Sequence, residues 1–237
     1  MASVKKVAPA RKGARPVTVR RDGEIAIITL NRPEKRNALG DDMVALLDKF
    51  FFDPPAGVRA AVITGSGDHF SAGLDLSTLR VRDVVEGMHH SRSWHSAFEK
   101  IQFGRVPVVA ALHGAVIGGG LELAAAAHVR VADSTVFYAL PEGQRGIFVG
   151  GGGSARLPRL IGVARMTDMM LTGRVYKADE GERLGFAQYL VEPGESLKKA
   201  IELARKMAGN AGMTNYSVKS PMSWLASAMR GRACITA

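Results

Sequence analysis

An apolar run, Val106–Leu112, leads within a few residues to three consecutive glycines, Gly118-Gly119-Gly120, and these open onto a helix-forming stretch, Leu121–Ala127. Glycines at such a strand-to-helix junction let another group approach the backbone closely. The first amides of the helix have no partner inside it, and the helix dipole favours negative charge there. The junction therefore suits an oxyanion, although a plain tight turn uses the same residues. Glu122 falls in the first turn of this helix, where a carboxylate also serves simply as a dipole partner.

The rest of the chain alternates in the same way. Pro16–Arg21 and Glu24–Leu30 flank Asp22-Gly23, a strong hairpin signal. Asn31-Arg32-Pro33 breaks the second strand. Asp41 and Asp42 offer helix caps, and Met43, Leu46, Leu47 and Phe50 follow at helical spacing until Pro54-Pro55. Val58–Thr64 reads as a strand closed by Gly65-Ser66-Gly67. Trp94, Ala97, Phe98 and Ile101 mark one face of a helix, and Val129–Ala132 reads as a strand. Leu157–Leu171 is expected to be helical around Gly162, and Leu197, Ala200, Ile201 and Ala204 mark a late amphipathic helix. Interleaved strands and helices without a long linker or an internal repeat predict an α/β fold.

The 237 residues suit one such domain with a small appendage. No run of roughly 18 apolar residues occurs, so no transmembrane helix is expected. The single cysteine, Cys234, excludes an intrachain disulfide and suits a reducing compartment. The net charge of +10 raises a nucleic-acid reading, but its distribution argues against it. Lys5, Lys6, Arg11, Lys12, Arg15, Arg20 and Arg21 crowd residues 1–21 with no Asp or Glu, and Pro9, Gly13 and Pro16 predict a disordered arm over 1–15. A solvated extension, a transit peptide or a weak RNA-binding arm all accommodate it.

Two further segments carry chemistry. One is His69-Phe70-Ser71-Ala72-Gly73-Leu74-Asp75-Leu76, just after a strand. The other is Leu140-Pro141-Glu142-Gly143 with the glycine-rich stretch Gly146 to Gly153 behind it. Gly150–Gly153 lacks the Gly-Lys-Ser/Thr ending of a phosphate-binding P-loop. Together with Ile27–Leu39, Pro107–Glu122, Arg159-Leu160-Ile161-Gly162, Leu171-Thr172-Gly173-Arg174 and Leu184-Gly185-Phe186, these segments resemble the enoyl-CoA hydratase/isomerase, or crotonase, superfamily in order and spacing. The resemblance runs from about Val17 to Asn210.

That resemblance implies a crotonase-like spiral of ββα units over residues 16–195 with a helical C-terminal segment over 196–237. It implies that the backbone N–H groups of Leu74 and Gly119 bind the thioester oxygen, more strongly as it becomes an enolate. Glu122 and Glu142 fall where hydratases of the family hold the reacting water. A base must take a proton from water and an acid must protonate Cα; two nearby carboxylates share this work because repulsion raises one pKa. Lys35, Arg36 and Ala38 fall in the CoA-approaching segment, and Ala72, Asp75 and Leu76 where the family holds the adenine end; a solvated loop is the plainer account of these charges. Gly150 matches a position that offers an amide near the water.

The implied reaction is syn hydration of a trans-2-enoyl-CoA, with isomerisation or another acyl-CoA lyase reaction as the alternative and an RNA-binding or non-catalytic homologue further off. Coenzyme A belongs to the substrate and no cofactor is expected. A homotrimer or dimer of trimers is expected, with no membrane or nucleic-acid partner, in a bacterial cytoplasm or alternatively a mitochondrial matrix. The histidines, His69, His89, His90, His95, His113 and His128, form no metal-binding pattern. No Gly-x-Ser-x-Gly elbow occurs, and Met169-Met170 and Phe50-Phe51-Phe52 read as packing residues. The chain departs from the family at His113, His128 and Gly181, and at Pro221 to Ala237, which suggests a shortened or altered terminus.

Overall fold

In a computed structural model, residues 15–78 and 83–219 are described. The basic positions before Arg15, the segment from Pro221 to Ala237, and Cys234 with it, lie outside them. Val17–Asp22 (β1) and Ile25–Leu30 (β2) pair antiparallel in register Asp22↔Ile25, around Gly23 at φ +61°. Helix α1 (Asp41–Phe52) follows. Its cap position is Gly40, and the expected caps Asp41 and Asp42 instead occupy the first turn, where they oppose the positive end of the helix dipole. Strand β3 (Ala60–Gly65) and the long α2 (Val84–Phe103) lead to β4 (Val108–Leu112), β5 (Ala115–Ile117) and α3 (Gly119–Ala126). Then come β6 (Val129–Asp133) and β7 (Phe137–Ala139).

The helix expected across Gly162 is two helices, α4 (Gly153–Ile161) and α5 (Val163–Thr172), because Gly162 sits at φ +86° and breaks the ladder. Strand β8 (Tyr176–Lys177), α6 (Ala178–Leu184), β9 (Tyr189–Val191), α7 (Ser196–Gly209) and α8 (Gly212–Lys219) complete the described chain.

Six strands form one sheet in the order β1-β2-β3-β4-β6-β9, parallel from β2 onward. The period of two along each strand divides the core. Ile25, Ile27, Ala60, Val62, Val109, Ala111 and Val131 face α7 and pack on Ala200, Ile201 and Ala204. Ile28, Leu30, Ala61, Ile63, Val108, Ala110 and Leu112 face the other way, onto Met43, Leu47, Phe98, Ile101 and Leu121 from α1, α2 and α3. Burial on both faces explains why these strands read as continuous apolar runs. A second sheet, β5-β7-β8, lies beyond the end of β4 and holds the start of α3.

Candidate active site

Three loops converge at the N-terminus of α3. Gly73 adopts φ +88°, and a Cβ there would lie 2.7 Å from the Ile117 carbonyl oxygen, so only glycine lets the two segments touch this closely. The contact is secured by parallel bridges Ser71↔Val116 and Leu39↔Leu74. It sets the Leu74 and Gly119 amides side by side: a Cβ on Gly119 would lie 3.6 Å from the Leu74 nitrogen, and one on Gly73 3.2 Å from the Gly119 nitrogen. Neighbouring amides are consumed, since Asp75 N donates to Leu39 O, Gly118 N to Ala139 O and Gly73 N to Ser71 Oγ. Among the described residues, the Leu74 and Gly119 N–H groups donate to no protein acceptor. Two adjacent free donors are what an oxyanion site requires.

Both glutamates stand beside this pair. Glu122, in the first turn of α3, is 2% exposed. Its Oε1 accepts from the amides of Gly151 at 2.8 Å and Gly153 at 2.7 Å, at the N-terminus of α4. Burial raises its pKa, and the amides of Gly153, Gly151 and Gly150 and the charge of Arg156 offset that rise only in part. Arg156 is itself held by Gln102 Oε1 and the Gly151 carbonyl.

Glu142 lies on the short 3-10 turn Pro141–Arg145 and reaches Gly118, where a Cβ would meet its Oε1 at 2.6 Å. Its Oε2 is buried and has no hydrogen-bond partner. Burial raises its pKa to about 7, and the charge of Glu122 adds to the rise. Burial thus raises both carboxyl groups, but only Glu122 has amides and a nearby guanidinium that favour its ionised form, while Glu142 has a second carboxyl group that opposes it. The Gly151 and Gly153 amides are functional groups that the sequence left unassigned; the glycine run at the start of α4 was their signal.

Of the expected CoA-facing residues, Lys35 meets the Asp75 carboxylate, and Arg32 joins it there. Asp75 Oδ2 lies 3.0 Å from both Arg32 Nη2 and Lys35 Nζ, with the Asp75 side chain 5% exposed. Ser77 N and Oγ donate to Asp75 Oδ1, and Lys35 also donates to Ser77 Oγ. Burial pushes this carboxyl up, but the hydrogen bonds from Ser77 and Lys35 outweigh it and hold the pKa at about 2. Arg36 is exposed, at φ +51°, and its carbonyl accepts from Ala72 N. Asn37 at φ +54° is fully buried and donates to the carbonyls of Ser66 and His69. Two successive left-handed residues without glycine mark a loop held in shape by its surroundings. Ala38 is buried, Leu76 is 44% exposed at the start of a 3-10 turn, and the Gly150 carbonyl accepts from Ser91 Oγ. Among the described residues, no group of three or more His, Cys, Asp or Glu side chains is placed to hold a metal ion. None of the described helices is long and apolar enough to cross a membrane.

Two of the departures from the resembled family, His128 and Gly181, have local explanations. His128 Nδ1 accepts from Val108 N and Nε2 reaches Gln102 O; burial lowers its pKa to about 4, so it is a neutral bridge between two strands' ends and α2. Gly181 lies under Tyr138, whose ring a Cβ would strike at 2.3 Å.

Comparison with known proteins agrees with this picture. A model of the family "Enoyl-CoA hydratase/isomerase" matches residues 20–234, running beyond the Asn210 at which the motif resemblance ended. The short-chain-enoyl-CoA hydratase of Clostridium acetobutylicum is 34% identical over 198 residues, 82% of this chain and 76% of its own length. The fatty acid oxidation complex subunit alpha of Shewanella amazonensis is 38% identical over 86% of this chain, which spans 29% of that longer protein. A crystal structure from Rhodopseudomonas palustris, named there a candidate enoyl-CoA hydratase, shares 58% identity and a TM-score of 0.85 over 92% of this chain and 89% of its own.

Proposed function

The chain belongs to the enoyl-CoA hydratase/isomerase family and has its crotonase fold, and on that premise we propose that it adds water across the double bond of a trans-2-enoyl-CoA. The observation that carries this reading is the pair of unlike carboxyl groups, Glu122 held by amides and Glu142 with a buried, unpartnered oxygen, beside two free N–H donors.

In the proposed reaction the thioester oxygen lies against the Leu74 and Gly119 amides. Charge grows on that oxygen as the enolate forms, so those fixed dipoles bind the transition state more tightly than the substrate. Glu122 takes a proton from water while the water oxygen bonds to Cβ. The C–C π pair moves onto Cα and the carbonyl, and Glu142 delivers a proton to Cα, giving a 3-hydroxyacyl-CoA. Transfer of the proton from Glu122 to Glu142 restores the pair. Lys35 and Arg32, with Arg36 beside them, supply positive charge for the CoA phosphates. Ala38, Ala72 and Leu76 are proposed to line the CoA path. The Gly150 amide, which acts on Glu122, is proposed to fix that carboxylate rather than the water itself. Assembly as a trimer or dimer of trimers and a bacterial cytoplasmic setting belong to the proposal, supported by the resemblance and by the bacterial sources of the relatives.

The test is loss of the enoyl-thioester absorbance with crotonyl-CoA, comparing the wild type with Glu122→Gln and Glu142→Gln. Rapid loss in the wild type, reduced by about 10²-fold or more in each variant, is expected. Intact CoA-ester binding without hydration in the wild type would instead favour isomerisation or a lyase reaction on the same enolate.

A further inference from the structure

Helix α2 lays two aromatic rings along the site. Trp94 and Phe98 are four residues apart and so share a face. Trp94 Cζ3 would lie 3.2 Å from a Cβ on Gly119, the residue carrying one oxyanion amide. Phe98 Cε2 would lie 2.7 Å from a Cβ on Gly151, whose amide holds Glu122. The rings meet edge to face at 5.9 Å and thus run from one end of the reacting group to the other.

Neither ring has room to move. Phe98 is fully buried and Trp94 is 4% exposed. Trp94 Nε1 donates to Asp41 Oδ1 at 2.9 Å, and His90 Nε2 lies 2.8 Å from the same oxygen. Leu39 Cδ1 would lie 3.8 Å from the same Gly119 Cβ, so a buried aliphatic side chain adjoins the same residue. The indole is therefore tied at its polar tip to α1 and wedged at its ring edge against the oxyanion residue.

We propose that Trp94 is a specificity-determining residue that restricts the acyl site to short chains. This rests on the reading of Leu74 and Gly119 as the thioester site. An enoyl group anchored there reaches the glutamates along the Trp94–Phe98 wall, and further methylenes must displace a ring whose hydrogen bond and packing resist displacement. One methylene in an apolar pocket is worth about 10–200-fold in discrimination, so the wall suffices to separate short from medium chains.

Saturated esters test this without requiring turnover. The full chain is titrated by calorimetry with CoA, butyryl-CoA and octanoyl-CoA, as wild type, Trp94→Phe and Trp94→Leu. The wild type is expected to favour butyryl-CoA over octanoyl-CoA by about tenfold or more, and Trp94→Leu to erase or reverse that preference. Octanoyl-CoA binding as tightly as butyryl-CoA in the wild type overturns the proposal while leaving the acyl-CoA reading intact. An unchanged ratio in a folded Trp94→Leu does the same. No binding of CoA or either ester overturns both. Should Trp94→Leu fail to fold, Trp94 emission in a Trp224→Phe background decides: butyryl-CoA must shift it, and an unshifted spectrum at saturation counts against the wall.

Discussion

Glu142 is a carboxyl group in surroundings that favour its neutral form. The sign of its effect on stability follows. Its pKa rises from the ordinary 4.5 to about 7 on folding, so between those values the folded chain binds more protons than the unfolded one, and stability falls as pH rises. The full penalty, on the order of 3 kcal/mol, is present above pH 7 and absent below about pH 4.5. Glu142→Gln is therefore expected to be more stable than the wild type at pH 8 and nearly equal at pH 4.5, read from urea midpoints at the two pH values. Equal midpoints at pH 8 would show that folding does not raise the Glu142 pKa. Both glutamates were legible as candidates because they fall inside motifs. The amides of Gly151 and Gly153 were not, since Glu122 on one helix meets the start of another only after the chain has folded.

At the scale of elements, the loop of residues 32–38 and the segment of residues 71–77 are joined by Asp75. Its carboxylate balances Arg32 and Lys35 while its own backbone amide continues the bridge beside Leu74. Asp75→Asn keeps the shape and removes the charge. It is expected to lower stability by roughly 1–3 kcal/mol and to lower kcat with crotonyl-CoA more than it raises KM, because the Leu74 amide shifts. A change confined to KM would place Asp75 in CoA binding alone. The hairpin at Asp22-Gly23 and the helices of clear period were legible because their signals are local. The sheet β5-β7-β8 was not, because strands of two or three residues carry no periodicity and find their partners only through distant parts of the chain. The break at Gly162 carries no local signal, because an isolated glycine is tolerated within helices.

Across the whole molecule, the large sheet divides the core into an α7 side and an active-site side, and the second sheet anchors α3 from behind. Tyr138 of β7 stacks on Phe186 at 4.6 Å and lies against Gly181 of α6. Gly181→Ala sets helix propensity, which favours alanine by about 1 kcal/mol, against overpacking of a buried ring, typically about 1–3 kcal/mol. With a Cβ only 2.3 Å from the ring, overpacking is expected to win, and thermal melting should show a lower midpoint; a higher one would mean that the second sheet yields readily. The α/β class was legible from alternation alone, whereas the closeness of Tyr138 to Gly181 depends on packing that no local pattern encodes.

The cap position of helix α4 is Gly152, which has no side chain to cap it, and Glu122 of α3 accepts from the amides on either side of that glycine. The proposed base is thus also a borrowed helix cap. A lineage that abandoned hydration would still be selected to retain a hydrogen-bond acceptor at position 122, so a glutamate or glutamine surviving there in a descendant would testify to folding rather than to turnover. Position 142, whose free oxygen supports nothing else, would be the one to drift first.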